Sequence, residues 1–304
     1  MAIFKSLILV CLSASVSIVN AEPHCPGSVD SLRLRLIQNV QIIVPVTINK
    51  NGPYDFLVDT GAQITTVDPT LAKALDLKIE GTTGIIGVGN YARTEFTTLD
   101  SVQGGSEVVE QVMAVIQDLG QIRMADARVR GVLAGNFLEH FGLLIDYRQR
   151  LICLDKGDEL EAKVKGQHIG LVTEPDPGKR SPTPQTLAVA VRLSGMGKES
   201  LVLRLDSGIN VPLLYPSAGT AHMLETGTAP LRSRGTDGAD HAFAVLARQE
   251  VHIGPHTLHE IPFVTPVGGT TSIARPEADG LLPTALFQRA YINYAHHYVV
   301  LEPW

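Results

Sequence analysis

Short apolar and β-branched runs, each closed by turn-forming residues, recur along the chain, which is typical of a protein built from strands. The first clear run is Val40–Ile48 (VQIIVPVTI), and the turn signal Asn49–Pro53 (NKNGP) follows it. A second run, Tyr54–Val58, comes directly after the turn, so the pattern predicts a β-hairpin. This second strand leads without a break into the triplet Asp59-Thr60-Gly61.

The same order of elements recurs in the second half of the chain. Leu187–Leu193 (LAVAVRL) predicts a strand, 194–198 (SGMGK) predicts a turn, and Leu201–Leu205 (LVLRL) predicts a second strand. That strand leads into Asp206-Ser207-Gly208. Both halves therefore place an acidic triplet at the end of a predicted hairpin.

The distance from each triplet to a later glycine-apolar-apolar motif also repeats. Gly131-Val132-Leu133 begins 72 residues after Asp59, and Gly280-Leu281-Leu282 begins 74 residues after Asp206. An order that repeats over this length is hard to obtain by chance, so we expect one fold present twice. The fold class predicted is all-β.

Helices are expected to be short and few. Pro69–Leu77 (PTLAKALDL) is the best candidate, with Asp68 as its N-cap. The stretches 136–141 and 284–290 can each hold a turn or two. Four prolines lie between 174 and 185, and this stretch is interpreted as part of an exposed linker.

The first 21 residues have the layout of a secretory signal peptide. Lys5 precedes the apolar stretch 6–19, and small residues up to Ala21 fit a cleavage site. A membrane anchor is the alternative, but the apolar stretch is shorter than the ~20 residues that a spanning helix needs. We therefore expect a secreted or periplasmic protein with no stable membrane span.

These signals divide the chain into four parts. They are a signal peptide (1–21), an N-terminal lobe (22–157), an inter-lobe linker (158–185) and a C-terminal lobe (186–304).

The amino-acid composition argues against extensive disorder and against one class of binding partner. The chain has 304 residues, of which 44% are hydrophobic and 18% are charged, with 31 acidic and 25 basic side chains. The charged fraction is below the usual quarter, which argues against extensive disorder. The acidic excess, with no run of lysine or arginine, argues against a nucleic-acid partner.

Cleavage after residue 21 would leave two cysteines, Cys25 and Cys153. In an oxidising compartment they could form one disulfide. Two unpaired thiols are the alternative, and the sequence does not decide between them.

Each triplet gives its carboxylate a rigid and poorly hydrated position. Asp59 and Asp206 both end apolar strands, the hydroxyl residue that follows can hydrogen-bond across the halves, and glycine permits a tight turn. If a two-fold axis relates the halves, the two carboxyls meet on it, and at ~3 Å they share one proton. Such a pair can act as a general base toward water and as a general acid toward a leaving amine.

The residues around the triplets resemble a known protease family. VDTGA (58–62), the glycine-rich GIIGVGNY (84–91) and GVLAGNFL (131–138) resemble one lobe of a retropepsin-type aspartic protease. RLDSGI (204–209) and DGLLPTALF (279–287) resemble a second lobe, as in two-lobed, single-chain exported bacterial aspartyl proteases. The resemblance implies the acid protease fold, in which two six-stranded β-barrel lobes enclose a catalytic cleft.

The resemblance also implies roles for ten residues. Asp59 and Asp206 would be catalytic, and four neighbours would support the dyad: Thr60, Gly61, Ser207 and Gly208. The flap, a hairpin that closes over the substrate, would include Gly87, Val88, Gly89 and Tyr91.

The implied function is that of an aspartic endopeptidase acting on extended polypeptides without a cofactor or a metal. Because both lobes lie in one chain, a monomer is expected. A non-catalytic module with the protease fold, which binds peptides or acts as an inhibitor, is the alternative.

Five positions depart from the family pattern, and two of them, Ala134 and Pro283, stand where these families usually have a glycine. Ala62 and Ile209 follow the triplets and offer no hydroxyl to the carboxyls, so we expect activity in mild acid to near neutrality rather than in strong acid. Arg204 stands where the first half has Leu57, and it places a charge beside the second triplet.

Two further motifs are weak. His252, His256 and His259 surround Gly254-Pro255, and their spacing favours a solvated hairpin over a zinc site. The G-x-G at 87–89 has no helix after it, which argues against a nucleotide-binding loop.

Overall fold

The computed structural model describes residues 23–87, 90–172, 187–225, 229–234, 240–267 and 278–304. The predicted signal peptide (1–21) and the proline-rich stretch 174–185 lie outside these ranges. Within them, no helix is both long enough and apolar enough to cross a membrane.

Strands make up most of the described chain. Those of the first part are β1 Ser31–Arg33, β2 Arg35–Ile37, β3 Gln41–Ile48, β4 Asn51–Val58, β5 Thr65–Val67, β6 Gly81–Gly87, β7 Asn90–Gly104, β8 Glu107–Ile116, β9 Val129–Leu133, β10 Gly142–Asp146, β11 Leu151–Asp155 and β12 Ile169–Gly170. Those of the second part are β13 Ala188–Leu193, β14 Ser200–Asp206, β15 Leu213–Leu214, β16 Leu231–Arg234, β17 Asp240–Ile253, β18 His256–Val267, β19 Gly280–Pro283, β20 Phe287–Asn293 and β21 Tyr298–Pro303.

The helices in the described ranges are short. They are α1 Pro69–Ala74, α2 Gly120–Ala125, α3 Gly135–Leu138, α4 Glu159–Lys163 and α5 Ala218–Ala221, with 3₁₀ turns at Ser194–Met196 and Thr284–Leu286.

Six strands of each half close into a barrel. In the first half the order around the barrel is β3-β4-β9-β5-β8-β7, and β7 pairs back onto β3. Neighbours are antiparallel except for β4 with β9 and β5 with β8, which are parallel.

The second half repeats this arrangement strand for strand. The order is β13-β14-β19-β15-β18-β17, β17 closes onto β13, and the parallel pairs fall at the same two places. The expectation of an all-β fold with two similar six-stranded barrels is confirmed, and this is the arrangement that the acid-protease resemblance implied.

A third sheet joins the two barrels. Its order is β1-β11-β10-β20-β21-β12, and β10 runs antiparallel to β20 from the pair Gly142–Asn293 to the pair Asp146–Arg289. Its four central strands are two hairpins, one from each half. The halves are therefore joined by backbone hydrogen bonds as well as by one continuous apolar core.

A disulfide fastens the N-terminal segment to this third sheet. Cys25, which precedes β1, is bonded to Cys153 on β11, and both residues are buried. Of the two alternatives that the sequence left open, the structure has the disulfide.

Local predictions hold best where a capping residue defines an end. Helix α1 begins at Pro69, and the Asp68 carboxylate accepts the N–H groups of Thr70 and Leu71, as the N-cap prediction required. The helix ends at Ala74, three residues before the predicted end. The hairpin predicted around Gly254-Pro255 is also present, as the connection between β17 and β18.

The described part of the stretch 158–185 contains regular structure. It includes α4 and β12, and β12 pairs with β21 at the edge of the third sheet. The sequence suggested only a linker here because a two-residue strand leaves no periodic pattern.

Candidate active site

The two acidic triplets occupy equivalent positions in the two barrels. Asp59 follows β4, and its N–H donates to the carbonyl of Leu133 at the end of β9 at 3.0 Å. Asp206 ends β14, where it lies in register with Pro283 at the end of β19. In both barrels the strand carrying the glycine-apolar-apolar motif therefore runs parallel to the strand that carries the aspartate.

The two aspartates lie against each other's glycine. A Cβ atom placed on Gly61 would lie 2.3 Å from Oδ2 of Asp206, and one placed on Gly208 would lie 2.5 Å from Cγ of Asp59. The two carboxyls also interact with each other, and each alters the pKa of the other. Only glycine leaves room for this approach, because any side chain would occupy the space of the opposite carboxyl.

Four hydrogen bonds from the middle residues of the triplets lock the two loops together. The Thr60 hydroxyl donates to the carbonyl of Leu205 at 3.0 Å and accepts from the N–H of Ser207 at 3.0 Å. The Ser207 hydroxyl donates to the carbonyl of Val58 at 2.8 Å and accepts from the N–H of Thr60 at 3.1 Å. Both side chains are buried, so this hydrogen-bond network holds the loops in one relative position.

The two carboxyls differ in the donors that hold them. Oδ1 of Asp59 accepts the N–H groups of Gly61 at 2.9 Å and Ala62 at 3.0 Å, whereas Oδ1 of Asp206 accepts the N–H of Gly208 at 2.7 Å. Asp206 is buried and Asp59 is half-buried. The environment therefore favours a negative charge on Asp59 over one on Asp206.

The pKa values follow this asymmetry. Burial raises the pKa of Asp59 above its ordinary value of 3.8, and the N–H groups of Gly61 and Ala62 oppose the rise. Burial raises the pKa of Asp206 well above 3.8, and the adjacent charge of Asp59 raises it further. The positive charge of Arg204 lowers the pKa of both carboxyls. As a pair, the two groups can hold one proton over a range of pH in which ordinary carboxyls are ionised.

The hairpin predicted as a flap is formed by β6 and β7. Gly87 ends β6 opposite Asn90, and Tyr91 on β7 lies opposite Ile86. Val88 and Gly89, at the predicted tip, lie outside the described residues.

The second barrel carries a matching hairpin that sequence reasoning missed. Strand β16 pairs with the start of β17 and extends the sheet beyond β17, as β6 extends it beyond β7. The sequence between 231 and 243 gives little strand signal, since Leu231–Arg234 (LRSR) is short and mostly polar. The symmetry of the halves was the available clue.

Two contacts between the halves were also missed. Nη1 of Arg204 donates to the carbonyl of Gly61 at 3.1 Å, and Nε2 of Gln41 donates to the carbonyl of Gly208 at 2.7 Å. Each half thus contributes one side chain that binds the loop carrying the acidic triplet of the other half. The only sequence signal for these contacts was that Arg204 stands at the position equivalent to Leu57 in the first half.

In the part of the chain that the structure describes, no three histidine, cysteine, aspartate or glutamate side chains are grouped so that they could hold a metal ion.

Comparisons with known proteins bear on the first barrel. Residues 44–137 match the family model described as aspartyl protease, from within β3 to within α3, which is about a third of the chain and includes Asp59. No curated protein matches the sequence. A solved structure that is similar to part of the chain is a retropepsin-like aspartic protease from Rickettsia conorii, with 19% identity and a TM-score of 0.32 over 42% of this chain and 92% of that one. The family match, together with the paired barrels and the paired carboxyls, supports an aspartyl protease class.

Proposed function

We propose that the protein is an aspartic endopeptidase that hydrolyses extended polypeptides, with Asp59 and Asp206 as its catalytic dyad. The observation that carries the proposal is the close approach of two carboxyls, one from each barrel, on loops locked by the Thr60 and Ser207 hydroxyls. Thr60, Gly61, Ser207 and Gly208 then serve to position the dyad. The match to the aspartyl protease family over residues 44–137 supports the same reading.

The asymmetry of the carboxyls suggests how the proton moves. A water molecule between them is deprotonated by the ionised Asp59, and its oxygen attacks the carbon of the scissile carbonyl while the protonated Asp206 donates its proton to the carbonyl oxygen. The tetrahedral intermediate returns a hydroxyl proton to Asp206, Asp59 transfers its proton to the amide nitrogen, and the C–N bond breaks. The chemistry uses a water and two carboxyls, with no covalent intermediate on the chain.

Two hairpins are available to cover an extended substrate. An extended peptide can add to strand edges through backbone hydrogen bonds, with side-chain pockets supplying preference. We propose that the β6–β7 hairpin, with Gly87, Val88, Gly89 and Tyr91, closes over one side of the bound peptide. The β16–β17 hairpin of the second barrel is the equivalent element on the other side.

The test is cleavage of an unstructured protein by the purified mature chain, followed by mass spectrometry of the products. We expect pepstatin-sensitive cleavage that is abolished by Asp59→Asn and by Asp206→Asn. Because both pKa values are raised, the singly protonated dyad should be most populated from mild acid toward neutrality, and a rate optimum below about pH 3 would contradict this assignment.

The alternative, a non-catalytic module that binds peptides or acts as an inhibitor, makes a different prediction. It requires saturable peptide binding with no turnover between about pH 3 and pH 8. Both triplets keep a carboxyl, a hydroxyl and a glycine, and this favours the enzyme.

We also propose that the protein is exported and acts as a monomer. The disulfide between Cys25 and Cys153 suits an oxidising compartment, and both carboxyls come from one chain. N-terminal sequencing of the exported protein should find a mature chain beginning at Glu22. Its mass in solution should correspond to a single copy.

A further inference from the structure

One difference between the two barrels is a charged residue close to the dyad. On β14, the buried residues Leu201, Leu203 and Leu205 face the core, so Arg204 lies on the opposite face, together with Asp206. The equivalent position in the first barrel is Leu57, two residues before Asp59. A basic residue in one half therefore corresponds to an apolar residue in the other.

The surroundings of these two side chains differ accordingly. Leu57 is buried in an apolar cluster with neighbours such as Ile43 and Val132. Arg204 is half-buried, and its guanidinium reaches the carbonyl of Gly61 at 3.1 Å, at the loop that carries Asp59. This contact holds the positive charge at the centre of the site rather than out in solvent.

The position of Arg204 along β14 relates it to a bound peptide. Two residues of strand span about 6.6 Å, and an extended peptide advances about 3.3 Å per residue. If the scissile bond lies over the carboxyls, the side chains of the flanking peptide residues lie within reach of residues two positions before each aspartate. One flank then lies over the first barrel, where the equivalent residue Leu57 is apolar and buried, and the other faces Arg204.

We propose that Arg204 is a specificity-determining residue that makes the cleft select a substrate with an acidic side chain on one side of the scissile bond and an apolar side chain on the other. The inference rests on the proposed peptidase function. A guanidinium N–H forms a charge-assisted hydrogen bond with a carboxylate, which is stronger than a hydrogen bond between neutral groups. Its charge also reaches Asp59 and Asp206, in agreement with a location beside the reacting bond.

The experiment compares kcat/KM for a peptide series with leucine on both sides of the cleaved bond and variants carrying glutamate or glutamine at one flank at a time. For the wild type at about pH 6, where a free glutamate is ionised, we expect glutamate to be preferred over glutamine by about tenfold at one flank only. Arg204→Leu should remove that preference and favour the all-leucine peptide. Arg204→Lys, which keeps the charge, should retain a preference for glutamate.

A matched control and a pH measurement separate selection from a merely structural role. Arg192→Leu removes the same charge from an exposed position on the neighbouring strand β13 and should leave the ratio of glutamate to glutamine unchanged. In the wild type, that ratio should fall toward one below about pH 4.3, where glutamate is protonated. This last measurement needs no variant and remains decisive if Arg204→Leu does not fold.

The proposal is overturned if the wild type shows no preference for glutamate at either flank, or an equal preference at both. It is also overturned if an active Arg204→Leu keeps the wild-type ratio. Failure of the proposed function looks different, since the wild type would then cleave none of the peptides or would cleave them equally well after Asp59→Asn.

Discussion

At the scale of single residues, the two aspartates differ although the folds around them repeat. Asp59 accepts two backbone N–H groups, and Asp206 accepts one while lying deeper in the protein. The fold therefore opposes the ionisation of Asp206. Keeping such a buried carboxyl costs stability, as is typical of residues retained for function.

The raised pKa of Asp206 predicts a pH-dependent gain in stability for Asp206→Asn. A carboxyl whose pKa is higher in the folded than in the unfolded chain stabilises the fold fully below its unfolded pKa, and this contribution is lost as the pH rises through the folded pKa. We expect the variant to unfold a few degrees above the wild type at about pH 7, with the difference shrinking toward about pH 3. Thermal unfolding at both pH values measures this.

The control for that measurement is Asp100→Asn, which alters an exposed aspartate on β7. It should change the unfolding temperature little at either pH. A stabilisation by Asp206→Asn that was the same at both pH values would contradict the sign of the pKa shift.

The hydrogen-bond network of the Thr60 and Ser207 hydroxyls gives a second prediction at this scale. Thr60→Ala leaves the buried carbonyl of Leu205 and the N–H of Ser207 without their hydroxyl partner, and each unsatisfied group costs about 1–3 kcal/mol. We expect a loss of about 2 kcal/mol or more in the free energy of unfolding, measured by urea denaturation. Thr60→Ser keeps the hydroxyl and should recover most of the loss, and a Thr60→Ala variant as stable as wild type would contradict the argument.

At the scale of strands and helices, local signals predicted those elements whose ends are chemically marked. Asp68 with Pro69 gave the start of α1, and the turn signal at 49–53 gave the β3–β4 hairpin, although β4 already begins at Asn51. The repeated acidic triplets gave the position of the candidate site, because the sequence order itself repeats.

Elements that depend on distant partners could not be predicted in this way. The short strands β12 and β16 exist because β21 and β17 lie beside them, and nothing in their own residues requires a strand. The contact of Arg204 with the Gly61 carbonyl likewise depends on how the barrels meet, and the sequence showed only that the residue was out of place. Pairing between segments far apart in the chain is decided by the whole core and not by local pattern.

Strand β9, which lies beside Asp59, gives a prediction at this scale. A Cβ on Gly131 would lie 2.1 Å from the Phe56 ring and 2.5 Å from the carbonyl of Thr66, so Gly131→Ala must push β9 away from its neighbours. We expect a destabilisation of about 1–3 kcal/mol, together with lower activity because β9 supports Asp59. Unfolding and peptidase assays on the same preparation measure both.

Gly170→Ala is the matched control, because nothing lies within 4 Å of the added methyl group. It should change the free energy of unfolding by no more than about 0.5 kcal/mol. If both substitutions had the same effect, the loss could not be assigned to the crowding beneath Asp59.

At the scale of the whole molecule, the disulfide links the N-terminal segment to the third sheet. Cys25 and Cys153 are 128 residues apart in sequence, so the bond restricts nearly the whole first half of the unfolded chain. We expect reduction, or the double variant Cys25→Ser/Cys153→Ser, to lower the free energy of unfolding by about 2–5 kcal/mol. Urea denaturation with and without a reducing agent measures this.

The double variant is also the control for the reagent. A reducing agent should not alter its unfolding, because no disulfide remains in it. If reduction left the wild type as stable as before, the bond would contribute little to this fold.

The antiparallel pairing of β10 with β20 has a consequence for any attempt to divide the molecule. A first half separated from the second would keep its complete barrel but expose a row of unpaired backbone groups along β10. Such a bare edge is a template for strand addition, and the most similar available partner is β10 of another copy. We therefore expect a severed half to self-associate through the edge of β10. In the intact chain, β20 covers this edge and prevents such association.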